Sequence, residues 1–480
     1  STIFAPTFLQ PINMKQSGTI PTSLGTESIP KLLKQYAVPA IIAMTASSLY
    51  NMVDSAYIGQ GVGPMAISGL AVTFPLMNLS TAFGTLVGVG ASTLISVLLG
   101  QRNYSVARRV LGNVIIMNCV IGLLFMAVSL LFLDPILYFF GASEATIPYA
   151  REYMQVVLIG NIITHLYFGL NAVLRASGHP RKAMYATILT VALNTILDPI
   201  FIFVLDMGIR GAAIATVISQ LVSLMWQIKI FSNKEEFLHF SKDMMKFDSK
   251  IAYRSLSIGM APFLMNVASC FIVILINKGL QTYGDMEMAG GGDLSIGAYG
   301  IINRLSFLFV MVVMGFTQGM QPIAGYNYGA QLYDRVIKVL RLTIICATIV
   351  MTAGFLVAMI FPELMVKIFT SDPQLIDLSS KGARVVFLAF PIIGFQIVTS
   401  SFFQSLGMAK KAIFLSLSRQ LLFLAPCLIF LPRLIGVKGV WLSLPISDII
   451  STIVTIFMLR TLLKQFNEEI RKQRVITEGN

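Results

Sequence analysis

The sequence predicts an all-α polytopic membrane protein with twelve transmembrane helices, arranged as two pseudo-symmetric six-helix bundles in a parallel repeat around a central cavity. Three observations predict this class: the composition, a regular succession of long apolar stretches, and a match between the two halves of the chain. Hydrophobic residues make up 56% of the 480 residues, charged residues make up 12%, and the mean hydropathy is +0.78. Such values lie far outside the range of soluble globular domains.

The predicted spans are apolar stretches between charged or Gly- and Pro-rich segments. A helix needs about 20 mainly apolar residues to cross a membrane. The first half of the chain carries six such stretches, at 37–58, 66–99, 108–133, 146–172, 183–205 and 211–231. The second half carries six more, at 252–282, 294–325, 336–361, 376–403, 411–432 and 439–461.

These spans divide the chain into five segments. They are an N-terminal tail (1–28), an N-terminal six-helix lobe (29–232), a cytoplasmic inter-lobe linker (233–250), a C-terminal six-helix lobe (251–463) and a cytoplasmic C-terminal tail (464–480). The tail has no cleavable signal pattern, so the first span is expected to act as the targeting signal. Because Met14-Lys15 resembles an ordinary translation start, Ser1–Asn13 is expected to be an added or misassigned extension.

The distribution of Lys and Arg predicts the orientation, since these residues stay on the cytoplasmic side more often than they are translocated. With both termini cytoplasmic, 25 of the 35 basic residues lie inside and 8 outside, while Arg304 and Arg419 fall within spans. Basic loops facing anionic lipid account for the net charge of +13. The lipid bilayer is therefore an expected partner, and nucleic acid is not, because no basic soluble domain is present.

Metal-ligand spacing is missing from the sequence. The four cysteines are widely separated within spans, and none belongs to a Cys-x-x-Cys pattern. The three histidines, His165, His179 and His239, are also scattered, without a second ligand at helical spacing. No structural metal and no cofactor are expected.

The two halves of the chain match when the sequence is compared with itself at an offset of 229 residues. Matching pairs include Gly90 and Gly319, Gly100 and Gly329, Tyr104 and Tyr333, and Gly178 and Gly407. Six is an even number of spans, so both halves enter the membrane from the same side, and the repeat axis runs along the membrane normal. Two such bundles can rock about a central site, as in many secondary carriers.

Four motifs resemble those of one transporter family. They are Tyr50–Gly59 in the first span, the loop Gly100–Tyr104, the segment Asn171–Gly178 and the segment Asn194–Pro199. Together they make residues 28–465 similar to the MATE (multidrug and toxic compound extrusion) transporters, nearer the DinF- and MepA-like bacterial branch. The resemblance implies a multi-pass protein of the bacterial cytoplasmic (inner) membrane, a functional monomer that is not an enzyme, and small-molecule organic cations or amphipathic drugs as substrates.

Acidic residues inside the spans are candidates for ion coupling, because an ionised Asp at the centre of a membrane helix costs ~2.5–3.5 kcal/mol. Asp54 in the first span and Asp198 in the fifth would both lie ~8–12 Å below the external surface at 1.5 Å per residue. Tyr50 precedes Asp54 by four residues and Asn194 precedes Asp198 by four, so each acid has a polar neighbour on its own helix face. Thr216 in the sixth span offers a further hydroxyl.

Two neighbouring carboxylates in such a site repel each other, so a proton could bind there as a switch. A sodium ion could neutralise the same pair instead, at Asp54, Asn194, Asp198 and Thr216, and the sequence leaves both alternatives open. The family resemblance implies the same five residues, including Tyr50, as the cation site of the N-terminal lobe.

A structural interpretation of these acids is also possible, since Asp54 could reach the headgroup region and Asp198-Pro199 could simply break a helix. The repeat disfavours it. In the second half, the counterpart of Asp198 is Cys427, that of Asn194 is Phe423, and superposing Pro39 on Pro262 pairs Asp54 with Asn277. Acids kept in one half only are not part of the shared scaffold.

Candidates for the substrate cavity are Asn171, Gln220, Asn277, Met260 and Arg304. Met side chains are polarizable and adaptable. For Arg304 a structural partner is an equal alternative, since an unpaired guanidinium would repel a cationic drug. Asp448, opposite Gln220 in the repeat, is a secondary candidate with a structural hydrogen bond as its expected role.

The predicted function is a secondary active multidrug efflux antiporter that exports cationic or amphipathic organic compounds in exchange for H+ or Na+. An alternative is a lipid-linked oligosaccharide or lipid flippase of similar architecture, which should carry more cavity Arg and Lys. An alternative from another class is a membrane-embedded transferase. It would need paired His, Ser or acidic residues near one interface, and the sequence offers no such set.

Overall fold

A computed structural model describes residues 22–287 and 290–478, and over these residues the protein is all helical, without a β-strand. Eleven helices are long and apolar enough to cross a membrane. A twelfth span is formed by two helices, Ile147–Ile159 and Asn161–Ala176, that meet at a bend of 55°. The predicted fold class is therefore confirmed. The segment Ser1–Asn13 lies outside the described residues.

The twelve spans, α1 to α12, follow the order predicted from the sequence. In the N-terminal lobe they are α1 (Ile29–Gly61), α2 (Pro64–Gly100), α3 (Tyr104–Leu131), the bent α4 (Ile147–Ile159 and Asn161–Ala176), α5 (Pro180–Pro199) and α6 (Gly208–Ser232). In the C-terminal lobe they are α7 (Ser249–Glu287), α8 (Gly291–Gly329), α9 (Tyr333–Ile360), α10 (Pro373–Val386 with Phe390–Ser405), α11 (Ala409–Leu417 with Ala425–Ile435) and α12 (Val437–Glu478).

The repeat extends to the connections between the spans. Short helices, Leu133–Phe139 and Pro362–Lys367, begin 229 residues apart and lead into α4 and α10. The turns after α4 and α10 each use a left-handed glycine, Gly178 with φ 92° and Gly407 with φ 72°. Since the left-handed region favours glycine after a helix C-terminus, these two positions explain one of the sequence matches.

The spans α5 and α11 both lose regular α-helical geometry. In α5 the α-helix ends at Pro199, which has no N–H to donate, and the chain continues as a π-turn over Ile200–Val204. In α11 a π-helical stretch, Ser418–Leu424, separates the two α-helical parts. Such π-irregularities are frequent at functional sites.

The two lobes contact each other through helix backbones at the end of the bundle predicted to be cytoplasmic. A Cβ atom at Gly90 of α2 would lie 1.8 Å from the carbonyl oxygen of Ser255 in α7, and one at Gly259 would lie 1.8 Å from that of Leu86. On the other side of the interface, a Cβ at Gly319 of α8 would lie 2.6 Å from the Cα of Ala37 in α1. Only glycine permits these approaches.

Toward the opposite end the same helix faces diverge. Gly315 of α8 packs against Ile41 of α1. Leu308 and Arg304 precede Gly315 by seven and eleven residues, about two and three turns, and therefore lie on the same face, yet both are exposed. Thr45, one turn after Ile41, is also exposed. The lobes therefore enclose a cleft that is closed at the predicted cytoplasmic side and open at the predicted external side.

The segments outside the spans pack on the lobes. In the linker, Asp248 pairs with Arg109 at 2.8 Å and Glu236 pairs with Lys182 at 2.5 Å, which ties it to the N-terminal lobe. The described part of the N-terminal tail is held by Arg335 of α9, whose guanidinium donates to the carbonyl of Leu24 at 3.0 Å. The segment predicted as a C-terminal tail is helical as far as Glu478, because α12 continues beyond the predicted span.

The Gly90 contact yields a prediction about lobe closure. Gly90→Ala places a methyl group against the Ser255 carbonyl, so we expect a population in which the predicted cytoplasmic ends of the lobes move apart. Spin labels at the exposed, repeat-equivalent positions Arg181 and Lys410, in a cysteine-free background, would report a longer and broader distance distribution. The matched control is Gly300→Ala in α8, where an added Cβ has nothing within 4 Å. An unchanged distribution for Gly90→Ala would contradict the interface.

Candidate functional site

The two acids predicted for ion coupling lie together inside the N-terminal lobe. Asp54 of α1 is 6% exposed and Asp198 of α5 is fully buried. Their carboxyl groups are within hydrogen-bonding contact of each other. Because two ionised carboxylates repel each other strongly at this distance, the contact is stable only when a proton is shared or a cation is bound. The pair therefore has the chemistry of a cation site.

Helical phase explains why the acids face the lobe interior rather than the cleft. Ile41 marks the side of α1 that contacts α8. Tyr50 and Asp54 follow it by nine and thirteen residues, which places them on the opposite side of the helix, where α1 packs on α5 and α6. The helix α1 thus separates the acid pair from the central cleft.

Asn194 connects the acid pair to α1 and α6. In the amide orientation that satisfies both of its polar atoms, its Nδ2 donates to the Tyr50 hydroxyl and to Asp198 Oδ2, each at 2.9 Å. Its carbonyl oxygen accepts from the backbone N–H of Thr216 at 2.9 Å. The Tyr50 hydroxyl also lies 3.2 Å from Thr216 Oγ1. All five residues predicted from the sequence therefore meet in one network.

Tyr153 of α4 is a member of this site that the sequence did not indicate. It is 2% exposed and near enough to Asp54 and Asp198 to interact electrostatically with both. The predicted fourth span, 146–172, was treated as continuous, whereas α4 bends by 55° at Gly160. The bend sets the direction of the first half of α4. The one available signal in the sequence was depth: Tyr153 lies in the outer half of its span, near the predicted depth of the two acids.

The oxygen atoms of the site could surround a small cation. Asp54 Oδ1 is buried and has no hydrogen-bond partner among the described residues, so it is available to a proton or a metal ion. The second carboxyl, the Thr216 hydroxyl and the Asn194 amide add further oxygens of the type that hard cations prefer. No cluster of three or more His, Cys, Asp or Glu occurs in the described part of the chain.

The structure divides the five residues predicted for the substrate cavity into two groups. Arg304 is exposed on the cleft face of α8, and Asn277 of α7 lies five turns after Gly259, on the helix face that meets α2. Met260, next to Gly259, is partly exposed. The other two are inside the N-terminal lobe: Gln220 accepts from the Thr164 hydroxyl at 2.5 Å, and Asn171 donates to the Ala183 carbonyl at 2.9 Å.

The basic and acidic groups of the C-terminal lobe differ in their pairing. Asp448, for which a structural hydrogen bond was predicted, accepts from Arg419 Nε at 2.8 Å. Arg304, for which a structural partner was considered, makes neither an ion pair nor a hydrogen bond with any residue that the structure describes. An unpaired cation on a cleft wall is therefore a feature of this lobe.

Sequence comparison identifies relatives along most of the chain. The multidrug export protein MepA of Staphylococcus haemolyticus (strain JCSC1435) is 28% identical over 435 residues, which cover 91% of this chain and 94% of that protein. MepA of Staphylococcus aureus (strain MSSA476) is 26% identical over 443 residues, which cover 92% of this chain and 96% of that protein.

Solved structures share the fold. The MATE multidrug transporter DinF-BH, solved as a complex with a bound compound, is 34% identical and superposes with a TM-score of 0.84, covering 93% of this chain and 98% of that one. A MATE family transporter in an outward-facing conformation superposes with a TM-score of 0.86 over 94% of this chain and 99% of that one. Its identity is 22%, so it supports the fold alone.

The sequence profile of the MatE family matches this chain twice, at residues 39–200 and 269–429. The two matches fall on the two lobes and together cover more than half of the protein. They agree with the repeat seen in the sequence and in the helices. Twelve spans, two copies of one profile and the superposition on MATE structures lead to one assignment: this chain belongs to the MatE family of multidrug and toxic compound extrusion transporters.

Proposed function

We propose that the protein is a secondary active multidrug efflux antiporter, which exports cationic or amphipathic organic compounds through the central cleft in exchange for H+ or Na+. The observation that carries this proposal is the buried contact between Asp54 and Asp198 in the N-terminal lobe. Its relatives support the substrate class, since MepA is named a multidrug export protein and DinF-BH a multidrug transporter.

The position of α1 suggests how an ion and a drug exchange. One side of α1 carries Tyr50 and Asp54, and the other side forms a wall of the cleft and the contact with α8. A cation that binds between Asp54 and Asp198 removes their repulsion and draws α1 toward α5. Pro39 in α1 and the π-turn after Pro199 in α5 provide points at which these helices bend. Bending of α1 alters the cleft wall and releases the drug outward.

The return step follows from the same contact. When the cation leaves to the cytoplasm, the two carboxyl groups again resist being ionised together, and the site returns to its high affinity for a cation or a proton. Because drug and cation favour different shapes of α1, their binding is coupled with opposite sign, which is the thermodynamic requirement for antiport.

The acid pair gives a prediction about transport. Asp54→Asn and Asp198→Asn each keep the side-chain shape but remove a carboxylate, so we expect ethidium efflux from whole cells to fall by about tenfold or more. Expression and membrane insertion should be unchanged. Asp377→Asn is the matched control, because Asp377 is exposed and pairs only with Lys381 one turn away. Wild-type efflux by both acid variants would refute the coupling site.

Reconstituted protein decides between the two coupling ions. In proteoliposomes, either a proton gradient without Na+ or a Na+ gradient at equal pH should drive uptake of ethidium against its gradient, and Asp198→Asn should abolish that uptake. Dependence on the proton gradient alone identifies H+, and dependence on the Na+ gradient alone identifies Na+. If neither gradient drives transport, the protein is not an antiporter of this kind.

Arg304 provides a prediction about substrate charge. A cation at ~8 Å from an unpaired guanidinium is repelled by roughly 2 kcal/mol at an effective dielectric constant of ~20, and by less in a hydrated cleft. We therefore expect Arg304→Gln to bind ethidium several-fold more tightly, measured by fluorescence anisotropy of the purified protein. Arg433→Gln, at an exposed position near the end of α11, should leave the affinity unchanged. If Arg304→Gln binds ethidium as tightly as the wild type or more weakly, the Arg304 side chain does not lie near the bound drug.

A further inference from the structure

We propose that the coupling cation leaves the acid pair through the interior of the N-terminal lobe, along a polar passage between α4, α5 and α6, and that Arg175 closes this passage while the lobes are in contact. The inference rests on the proposed antiport function, and it adds a route and a gate to it. The passage begins at the acid site and continues through side chains that neither the acid pair nor the cleft uses.

Two polar stripes face each other below the acid pair. On α5, helical spacing aligns Asp198 and Asn194 with the hydroxyls of Thr190 and Thr187. On α6, the same spacing aligns a second set, Thr216, Gln220, Ser223 and Gln227. Polar residues are expensive in a membrane helix and normally serve packing or transport. The two stripes run from the acid site to the end of the lobe that is predicted to be cytoplasmic.

Hydrogen bonds connect the stripes into a chain. Thr190 Oγ1 donates to Ser223 Oγ at 2.7 Å. The hydroxyl of Tyr167 in α4 contacts both Thr190 and Thr187, the latter at 3.5 Å. Asn171 Nδ2 continues the chain, at 3.5 Å from Thr187 Oγ1. Hydroxyl groups can both donate and accept, so such a chain can solvate a moving proton or a small cation at each step.

Gln227 is the strongest single sign of a passage. It is fully buried, and neither its Nε2 nor its Oε1 has a hydrogen-bond partner among the described residues. Leaving a buried amide unsatisfied is costly, so a Gln at this place calls for a bound partner. The side chain lies one turn beyond Ser223, where its amide can bind water or the hydration shell of a cation.

Arg175 ends the chain at the interface between the lobes. Its guanidinium donates to Asn171 Oδ1. It also lines a polar cavity of about 10 Å³, the size of roughly one water molecule, together with Ser92, Thr93 and Ser96 of α2 and Gln318 and Gln321 of α8. Because α8 belongs to the other lobe, separation of the lobes at this end would open the cavity that Arg175 lines. A positive charge held there blocks a cation until the lobes move.

The C-terminal lobe keeps one polar pair of this chain, because Ser400 and Ser416, the counterparts of Asn171 and Thr187, hydrogen-bond at 3.0 Å. It differs from the N-terminal lobe at other positions of the chain. Thr190 corresponds to Arg419 and Gln220 to Asp448, and these two form an ion pair at 2.8 Å across the space that the passage would need. Arg175 itself corresponds to the neutral Gln404. The two lobes therefore share part of their polar core and differ where the passage and its gate would lie. The difference between them follows the location of the acid pair.

The passage is tested by removing its polar groups one at a time. We expect Thr190→Val and Gln227→Leu to slow ion-driven ethidium transport in proteoliposomes by about fivefold or more, because each step of the route loses a solvating group. Equilibrium ethidium binding should stay within about twofold of the wild type. Thr195→Val is the control, since the Thr195 hydroxyl bonds only to its own helix, at Val191 O.

The outcomes separate this inference from the proposed function. Wild-type transport by Thr190→Val and Gln227→Leu, with Asp198→Asn inactive, would overturn the passage and leave the antiport intact. Loss of drug binding in parallel with transport would show a packing role and also overturn it. Wild-type transport by Asp198→Asn would instead remove the antiport mechanism on which the passage depends.

The gate has its own test. In vesicles, Arg175→Gln should give a cation leak that does not require drug. The leak would appear as faster decay of an imposed pH gradient or of an imposed Na+ gradient. Dyes inside the vesicles that are sensitive to pH or to Na+ report which cation passes. Adding Thr190→Val to Arg175→Gln should reduce the leak again, because both changes act on one route. Arg181→Gln, at an exposed position in the same region, is the control. If vesicles with the Arg175→Gln protein keep their gradients as long as vesicles with the wild type, the gate is excluded.

Discussion

The absence of water from the hydrocarbon core of the membrane is the constraint on which this structure depends. Backbone groups must be satisfied within each helix, so the chain crosses as twelve helices, and every polar side chain placed at that depth needs a partner inside the protein. The N-terminal lobe meets this need at Asn194, which joins Tyr50, Asp198 and Thr216. At the cluster of two acids, satisfaction requires an added proton or cation. The lack of water in the hydrocarbon core therefore accounts both for the helical fold and for the need of the acid pair for a proton or a cation.

The two halves of the repeat have the same backbone arrangement, but the contact between two carboxyl groups lies in the N-terminal lobe. Both lobes share short helices at equivalent positions, left-handed glycines at Gly178 and Gly407, and π-irregularities in α5 and α11. The side chains then differ: the N-terminal lobe holds carboxyl groups in contact, whereas the C-terminal lobe neutralises Asp448 with Arg419. The common backbone gives the lobes irregular helices at equivalent positions, whereas the proposed ion site lies in the N-terminal lobe.

Much of the fold and most of the site could be predicted from the sequence. Hydropathy located all twelve spans, since length and apolarity are local properties, and helical spacing with a shared depth brought together Tyr50, Asp54, Asn194, Asp198 and Thr216. Positions that depend on the rotation of one helix against another were harder. Asn171 and Gln220 were expected near the cleft, yet their side chains bond within the lobe. Tyr153 was missed because the bend of α4 that directs it is not marked by a proline at that point.

The placement of the acid pair behind α1 has a consequence for evolution. Substitutions on the cleft side of the bundle, around Arg304 and Asn277, alter which compounds fit without touching the groups that hold the cation. In the proposed mechanism, changes among Tyr50, Asn194 and Thr216 act on the coupling site and leave the residues of the cleft wall in place. Because α1 lies between the cleft residues and the acid-site residues, the two sets can change independently. Under that mechanism, lineages that carry this architecture can acquire new chemical resistances through substitutions along one wall, while the driving ion stays the same.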